Sequence, residues 1–304
     1  MKFRDWAARV MLIFLMIATL ILALFIGSSR KQPNNISTSN PDPTLWNQYP
    51  QALFQSAQKT EEAQPAVPKL SKLPNLLKLP KSPQSPAKIN QVITRYSTTA
   101  AFAKYKPSLA SATINPSNYG ERYPKDVNGV IVNNQPIIVL HETTNSASSA
   151  VNFFQTNNVD EDVQASYHVL IALDGMVIYL VPPDKRAFGA GNSVFNGANG
   201  VETVQTNPNL PPSVNNFAYH VSLETPADAW GKRNIKEHSG YTEAQYNSLA
   251  WLIAQSQVPD DRITTHRAVD VAAGKVDPLS FDFDKFFNKL HTFRELKNFR
   301  TAKN

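Results

Sequence analysis

Cysteine is absent from this chain of 304 residues. Its absence excludes disulfide bonds, thiol catalysis, lipid attachment through cysteine and every zinc site that needs a thiolate. Any metal ion must therefore be bound by histidine and carboxylate side chains. Six histidines are present, at positions 141, 168, 220, 238, 266 and 291.

Clustered positive charge is also absent. The 30 Lys+Arg residues against 24 Asp+Glu residues give a net charge of +6, a balance that suits an acidic partner. No run of five or six basic residues occurs, however, so the sequence does not predict a nucleic-acid partner.

Several catalytic motifs are missing as well. The chain has no Walker A sequence, no H-E-x-x-H motif and no G-x-S-x-G elbow. The segment "GAGNSVFNG" (189–197) lacks the third glycine of a dinucleotide-binding loop. The usual local signatures of nucleotide hydrolases, zincin proteases and α/β-hydrolases are therefore not found.

An apolar run near the N-terminus is the clearest local signal that is present. Lys2, Arg4 and Arg9 precede Val10–Gly27, which contains no charged residue. As a helix this run spans about 27 Å, close to the thickness of a bilayer core. Residues 1–31 are therefore predicted to be an uncleaved signal anchor, with a cleaved signal peptide as the alternative. Both place the remainder outside the cytoplasm.

A spacer follows over residues 32–91. Glycine is missing between Gly27 and Gly120, whereas ten of the 22 prolines fall in this spacer. Proline at this density blocks helices and sheets and favours extended chain. We predict a disordered linker, and the repeated Lys-Leu-Pro theme of 69–88 leaves a short docking segment as the alternative.

Residues 92–298 have the pattern of a folded α/β domain with a mixed central sheet flanked by helices. The segments "PIIVLHE" (136–142) and "AYHVSLE" (218–224) are predicted to be strands. Two further strands in 166–182 are joined by Asp-Gly, which predicts a hairpin. Helices are predicted at three segments, namely 148–155, 241–256 and 282–299.

The spacing of His266 and Asp277 raises the possibility of a metal site. Both bracket a glycine-containing loop that can fold back, and His141 ends a predicted buried strand. Two histidines and one aspartate leave one tetrahedral position open for water, which is the composition of a hydrolytic zinc centre. Lys275 is placed to stabilise the oxyanion formed when a carbonyl is attacked. The spacing alone is not diagnostic.

Four stretches in order carry a more specific signal: "IIVLHET", "SYHVLIALDGMVIYLVPPDKRAFGAG", "YTEAQYNSLAWLI" and "THRAVDVAAGKVDP". Together they resemble the zinc-dependent N-acetylmuramoyl-L-alanine amidase family, which shares its fold with peptidoglycan recognition proteins. The resemblance covers about residues 130–292. It implies a Zn²⁺ cofactor in a groove on one side of the sheet.

Carried over residue by residue, the resemblance implies that His141, His266 and Asp277 bind zinc. Lys275 matches a lysine two residues before the third ligand. Tyr167 matches a tyrosine found near the metal in phage-type and recognition-protein branches.

The resemblance also extends to the substrate groove. The segment 184–191, which contains Phe188, resembles the loop that edges this groove. We predict His168, Phe188 and Ser222 as substrate-binding residues. His238 and His291 are predicted to be surface residues.

One departure concerns the general base. Active relatives often carry a glutamate where this chain has Ser222, and Glu224 follows two residues later on the same strand face. Three alternatives therefore remain: Glu224 reaches the water, Tyr167 positions it, or His168 assists.

These observations predict a zinc hydrolase that cleaves the amide between N-acetylmuramic acid and L-alanine. Peptidoglycan is the expected partner, the N-terminal helix is expected to contact a membrane, and the catalytic domain is expected to be monomeric. The catalytic domain is expected in the periplasm or at the exterior of a bacterial cell. The alternative functions are a recognition module that binds peptidoglycan without cutting it and a scaffold.

Overall fold

The computed structural model describes residues 96–232 and 234–297. The predicted anchor and the predicted linker both lie outside these residues. Within the described part, no helix is both long and apolar enough to cross a membrane.

The regular structure is divided about equally between short strands and α-helices. The described strands are β1 (Tyr96–Thr98), β2 (Leu109–Ser111), β3 (Tyr119–Glu121), β4 (Ile137–Glu142), β5 (Val169–Ile171), β6 (Val177–Tyr179), β7 (Lys185–Ala187), β8 (Phe195–Gly197), β9 (Gly200–Glu202), β10 (Ala218–Leu223), β11 (Ile263–Thr265) and β12 (Arg294–Leu296). The described α-helices are α1 (Ala100–Lys104), α2 (Ala147–Gln155), α3 (Glu243–Ala254), α4 (His266–Val269) and α5 (Phe283–Phe293).

The central sheet has six strands in the order β11-β4-β10-β5-β6-β2. The pairs β11/β4, β4/β10, β10/β5 and β6/β2 are parallel, whereas β5/β6 is antiparallel. The predicted mixed sheet is thus confirmed. Strands β4 and β10 are buried along their whole length, as strands covered on both faces should be.

The predicted hairpin is also confirmed, with Asp174 and Gly175 in the connection between β5 and β6. Gly175 has a φ of +86°, which an L side chain rarely adopts. A Cβ at this position would also lie 2.9 Å from the carbonyl oxygen of Ala244. The glycine is therefore required both by the turn and by the close approach of α3.

One face of the sheet packs on helices α3 and α5. The predicted capping box is present at the start of α3, because the Thr242 hydroxyl accepts from the Gln245 N–H and the Gln245 side chain accepts from the Thr242 N–H. The hydrophobic core between the sheet and these two helices includes Ile138, Leu140, Val221, Leu249, Ile253, Phe286 and Leu290.

The last helix is shorter than the sequence predicts. It ends at Phe293, and Arg294 begins β12, which pairs with β1. The fully buried Arg294 guanidinium donates to the Val258 carbonyl and the Asp260 carboxylate. These long-range partners override the local amphipathic pattern.

The opposite face of the sheet carries polar side chains among its apolar ones. Alternation along β4 and β10 places His141, His220 and Ser222 on this face, where α2 and the loops after β7 and β9 cover it. This arrangement positions the candidate site.

Candidate metal centre

His141 lies near the carboxyl end of the central strand β4 and is fully buried. In the register of the sheet it is the partner of Ser222 on β10. Its Nδ1 points toward Asp277, whose Oδ2 is 3.4 Å away. The strand therefore delivers one imidazole to the edge of the sheet where the 266–277 loop also arrives.

The 266–277 loop folds back on itself. The Asp270 carboxylate accepts hydrogen bonds from the N–H groups of Gly274, at 2.7 Å, and Lys275, at 2.8 Å. The Arg267 N–H donates to the Asp277 carbonyl at 3.0 Å. These bonds bring the two ends of the loop together, and with them the side chains of His266 and Asp277.

The three predicted ligands converge as a result. His141, His266 and Asp277 each offer one ligand atom, and these atoms lie within 4.8 Å of one another. The two imidazole ring centroids are 4.6 Å apart, and His266 Nδ1 lies 3.0 Å from Asp277 Oδ1.

The protonation of this cluster suits a cation. Burial lowers the pKa of His141 to about 4, against the opposing effect of Asp277. Burial alone would raise the pKa of Asp277, but its interactions with His141 and His266 hold this pKa well below its usual range. A neutral imidazole and an ionised carboxylate are the forms that bind metal.

His141 Nδ1 gives a direct test of whether a metal fits. This atom is buried and has no hydrogen-bond partner of good geometry among the described residues. A buried polar nitrogen without a partner is costly, and a cation held also by His266 and Asp277 would satisfy it. Nitrogen and carboxylate donors are ligands that zinc accepts, so the residues fit this ion.

Tyr167 lies beside the cluster. Its ring is 4.7 Å from the His141 ring, centroid to centroid, and its hydroxyl is directed toward Ser222. Burial, and next the Asp277 carboxylate, raise the pKa of Tyr167 well above its usual value. The phenol therefore stays protonated near neutral pH and can donate a hydrogen bond, but it cannot accept a proton as a base.

The remaining predicted groove residues lie in different settings. Lys275 is exposed on the loop that carries Asp277. Phe188 is half-buried, and the Arg186 guanidinium lies 5.2 Å from the centre of its ring. Contact of Lys275 or Phe188 with a substrate stays a prediction.

Glu224 has contacts that differ from those expected of a general base. Its Oε1 accepts from the Ala147 N–H at 2.9 Å, and its Oε2 accepts from the Leu173 N–H at 2.8 Å. The carboxylate thus joins the start of α2 to the hairpin loop. These bonds favour a structural role over proton transfer.

His168 is fully buried, and both ring nitrogens are engaged. Its Nδ1 accepts from the His220 N–H at 2.9 Å, so the proton is on Nε2, which lies 3.2 Å from the Lys185 carbonyl. Burial and the nearby Arg122 guanidinium lower the pKa of His168 well below its ordinary value. This environment favours neither substrate contact nor a general-base role.

His220 is a site residue that sequence reasoning left without a role. Its Nδ1 lies 2.9 Å from His141 Nε2, on the side of the ring away from Asp277. The signal for it was the alternation of β10, which places His220 and Ser222 on one face. The contact itself depends on how β10 aligns with β4.

The prediction that His238 lies at the surface is wrong. Its side chain is fully buried, and its Nε2 lies 2.9 Å from Glu142 Oε2. The Tyr241 hydroxyl donates to the same oxygen at 2.6 Å. This polar cluster fixes the side chain of Glu142, which follows His141 in β4 and points to the opposite face of the sheet. His291 is exposed, as predicted, with a side-chain exposure of 54%.

Comparison with known proteins gives a family match. Residues 133–280 match the family model described as N-acetylmuramoyl-L-alanine amidase. No curated protein matches the chain.

Solved structures show similarity at low identity. AmiD from E. coli, in complex with the substrate anhydro-N-acetylmuramic acid-L-Ala-D-gamma-Glu-L-Lys, is 21% identical with a TM-score of 0.39, covering 51% of this chain and 57% of that one. AmpD from Citrobacter freundii is 22% identical with a TM-score of 0.36, covering 58% and 88%. AmiA from Staphylococcus aureus, in complex with its ligand, is 18% identical with a TM-score of 0.37, covering 70% and 92%.

Proposed function

We propose that this chain, whose residues 133–280 match the N-acetylmuramoyl-L-alanine amidase family model, is a zinc-dependent hydrolase of the amide bond between N-acetylmuramic acid and L-alanine in peptidoglycan. The observation that supports this proposal is the convergence of His141, His266 and Asp277 within 4.8 Å. The buried His141 Nδ1, which faces Asp277 without a hydrogen bond of good geometry, supports it further.

The three ligands would hold the zinc ion at the edge of the sheet. When bound there, zinc supplies a Lewis acid that makes water nucleophilic near neutral pH. The buried setting of His141 keeps this imidazole neutral, and the ionised Asp277 offsets part of the cation's charge.

Tyr167 and Lys275 have roles that follow from their protonation and position. The Tyr167 phenol, kept protonated by burial, donates a hydrogen bond to the amide oxygen as negative charge develops on it. The Lys275 ammonium group, on the ligand-bearing loop, adds positive charge at the same oxygen. Both interactions are stronger in the transition state than with the neutral amide, which is the condition for catalysis.

The proton acceptor is the part of the mechanism in which this chain departs from its relatives. Glu224 uses both carboxylate oxygens for backbone N–H groups, and Tyr167 is held protonated. This observation favours a second candidate function, a recognition module that binds peptidoglycan without cutting it. The two candidates differ in whether stem peptide is released.

Peptidoglycan digestion by the full-length protein tests the proposal. We expect zinc-dependent release of free stem peptides, detected by mass spectrometry, and its loss in His266→Ala. The matched control is His291→Ala, because His291 is exposed on α5 and outside the metal cluster. Sedimentation with peptidoglycan but no peptide release would favour the recognition module.

The membrane association is a separate part of the proposal. The uncharged run Val10–Gly27 supports an anchor that holds the domain on the outer side of a bacterial cytoplasmic membrane. Extraction of membranes with alkaline carbonate tests it, because an anchored chain stays in the pellet. Release into the supernatant would contradict this placement.

A further inference from the structure

The contact between His141 and His220 fixes where one proton can lie. The two nitrogens, His141 Nε2 and His220 Nδ1, are 2.9 Å apart, and both rings are fully buried. A hydrogen bond between two neutral imidazoles needs a proton on one nitrogen and a lone pair on the other.

Metal binding selects one of the two arrangements. If His141 Nδ1 faces the ligand set and binds a cation, it must carry the lone pair, so the ring proton is on Nε2. His141 then donates to His220, and His220 Nδ1 is the acceptor.

The structure holds the His220 ring in place for this role. A Cβ at Gly189 would lie only 2.5 Å from both Cγ and Nδ1 of His220, so the loop backbone packs directly on the ring. On the other side the His168 ring stacks against it, with an interplanar angle of 10°. The His220 ring therefore has little room to rotate away from His141.

The arrangement leaves the other ring nitrogen of His220, Nε2, without a hydrogen bond to any of the described residues. This nitrogen is also buried. A buried polar atom without a partner is destabilising, and in a native fold it calls for an explanation.

We propose that His220 is a positioning residue that holds His141 with its proton on Nε2 and with Nδ1 free to bind the metal. This inference rests on the proposed metal site. Partners that orient a metal-binding histidine in this way typically contribute about 10- to 100-fold to metal affinity.

A matched pair of variants tests the proposal in the full-length protein. His220→Asn keeps a hydrogen-bond acceptor near the position of Nδ1, whereas His220→Leu has a similar volume and no acceptor. We expect zinc affinity, measured by competition with a chromophoric chelator, to fall about 10- to 100-fold in His220→Leu. His220→Asn should stay within about threefold of the wild type.

The second measurement needs no substrate. Nitrogen NMR of the ¹⁵N-histidine-labelled, zinc-loaded protein reports which ring nitrogens of His141 and His220 carry protons. We expect a proton on Nε2 of both residues, so that His220 Nδ1 is the acceptor for the His141 proton. Because it requires no variant, the wild-type tautomer tests the proposal even if His220→Leu does not fold.

Two results would overturn the proposal: a proton on Nδ1 of His141 or of His220 in the zinc-loaded wild type, or equal zinc affinities in the two variants. Neither measurement involves peptidoglycan. A protein that binds zinc as expected but releases no stem peptide would therefore contradict the amidase function and leave the role of His220 standing.

Discussion

Gly189 lies directly over the ring of His220, so that a Cβ at position 189 would come within 2.5 Å of the histidine Cγ. Real Cβ atoms do not approach ring carbons this closely, and neither the backbone of the loop nor the buried ring has free space. The loop that contains Gly189 is therefore packed tightly on His220, the residue that contacts the predicted ligand His141.

Gly189→Ala should destabilise the protein because this packing has no room for a methyl group. We expect a loss of about 1–3 kcal/mol in the free energy of unfolding, measured in urea. Gly191→Ala is the matched control, since a Cβ at Gly191 would meet no atom within 4 Å. Equal stability of the two variants would contradict the packing described for His220.

Glu224→Gln separates a structural role from a catalytic one. The amide replaces one acceptor oxygen by a donor, so one of the two backbone N–H groups loses its partner. We expect a loss of about 1–3 kcal/mol in unfolding free energy, with kcat of the folded enzyme within about threefold of the wild type.

Glu121→Gln is the control for Glu224→Gln, because Glu121 is exposed and pairs with Lys185 at the surface. A fall of 100-fold or more in kcat, without a loss of stability, would restore Glu224 as the general base.

Tyr167→Phe removes the phenol hydroxyl and keeps the ring that packs on His141. We expect kcat for peptidoglycan hydrolysis to fall roughly 10²- to 10³-fold, as for loss of one oxyanion donor. Zinc affinity should not change, because the hydroxyl is not a ligand. The comparison variant is Tyr123→Phe, in an exposed loop. A parallel loss of zinc affinity would instead show that Tyr167 supports the metal cluster.

Acid should destabilise the protein through its buried neutral histidines. Burial, the largest cause, holds the pKa of His168 well below its ordinary value near 6.5. Below that unfolded value, the unfolded chain binds a proton that the folded protein does not. The free energy of unfolding is therefore unaffected by this group above about pH 6.5. Below that pH it falls by up to about 1.4 kcal/mol per pH unit for each such proton.

Urea unfolding between pH 7.5 and pH 5 measures this dependence. His168→Asn should reduce the slope, because the buried ionisable group is gone while an acceptor for the His220 N–H remains. An unchanged slope in the variant would assign the acid sensitivity to other groups.

Much of the fold follows from local pattern. The continuous apolar run before His141 and the strand-like segment 218–224 form the two central strands. The Asp174-Gly175 turn and the capping box at Thr242 are set by residues within a few positions of each other. Local rules therefore predict these elements correctly.

Side-chain contacts that form only in the tertiary fold could not be predicted from the sequence. Burial of Arg294 ends the last helix, and contact with Glu142 buries His238, although both residues are distant in sequence from their partners. The same limit applies to the site, where the resemblance supplied the three ligands. The bonds of Glu224 and the contact of His220 depend on strand register, which the sequence leaves open.

Anomalous scattering at the zinc absorption edge, on crystals of zinc-loaded protein, tests most directly whether the three side chains bind one ion. We predict a single strong peak about 2.0–2.2 Å from His141 Nδ1, a His266 ring nitrogen and an Asp277 carboxylate oxygen. A peak elsewhere, or none at these three side chains, would contradict the metal centre and the hydrolysis proposed from it.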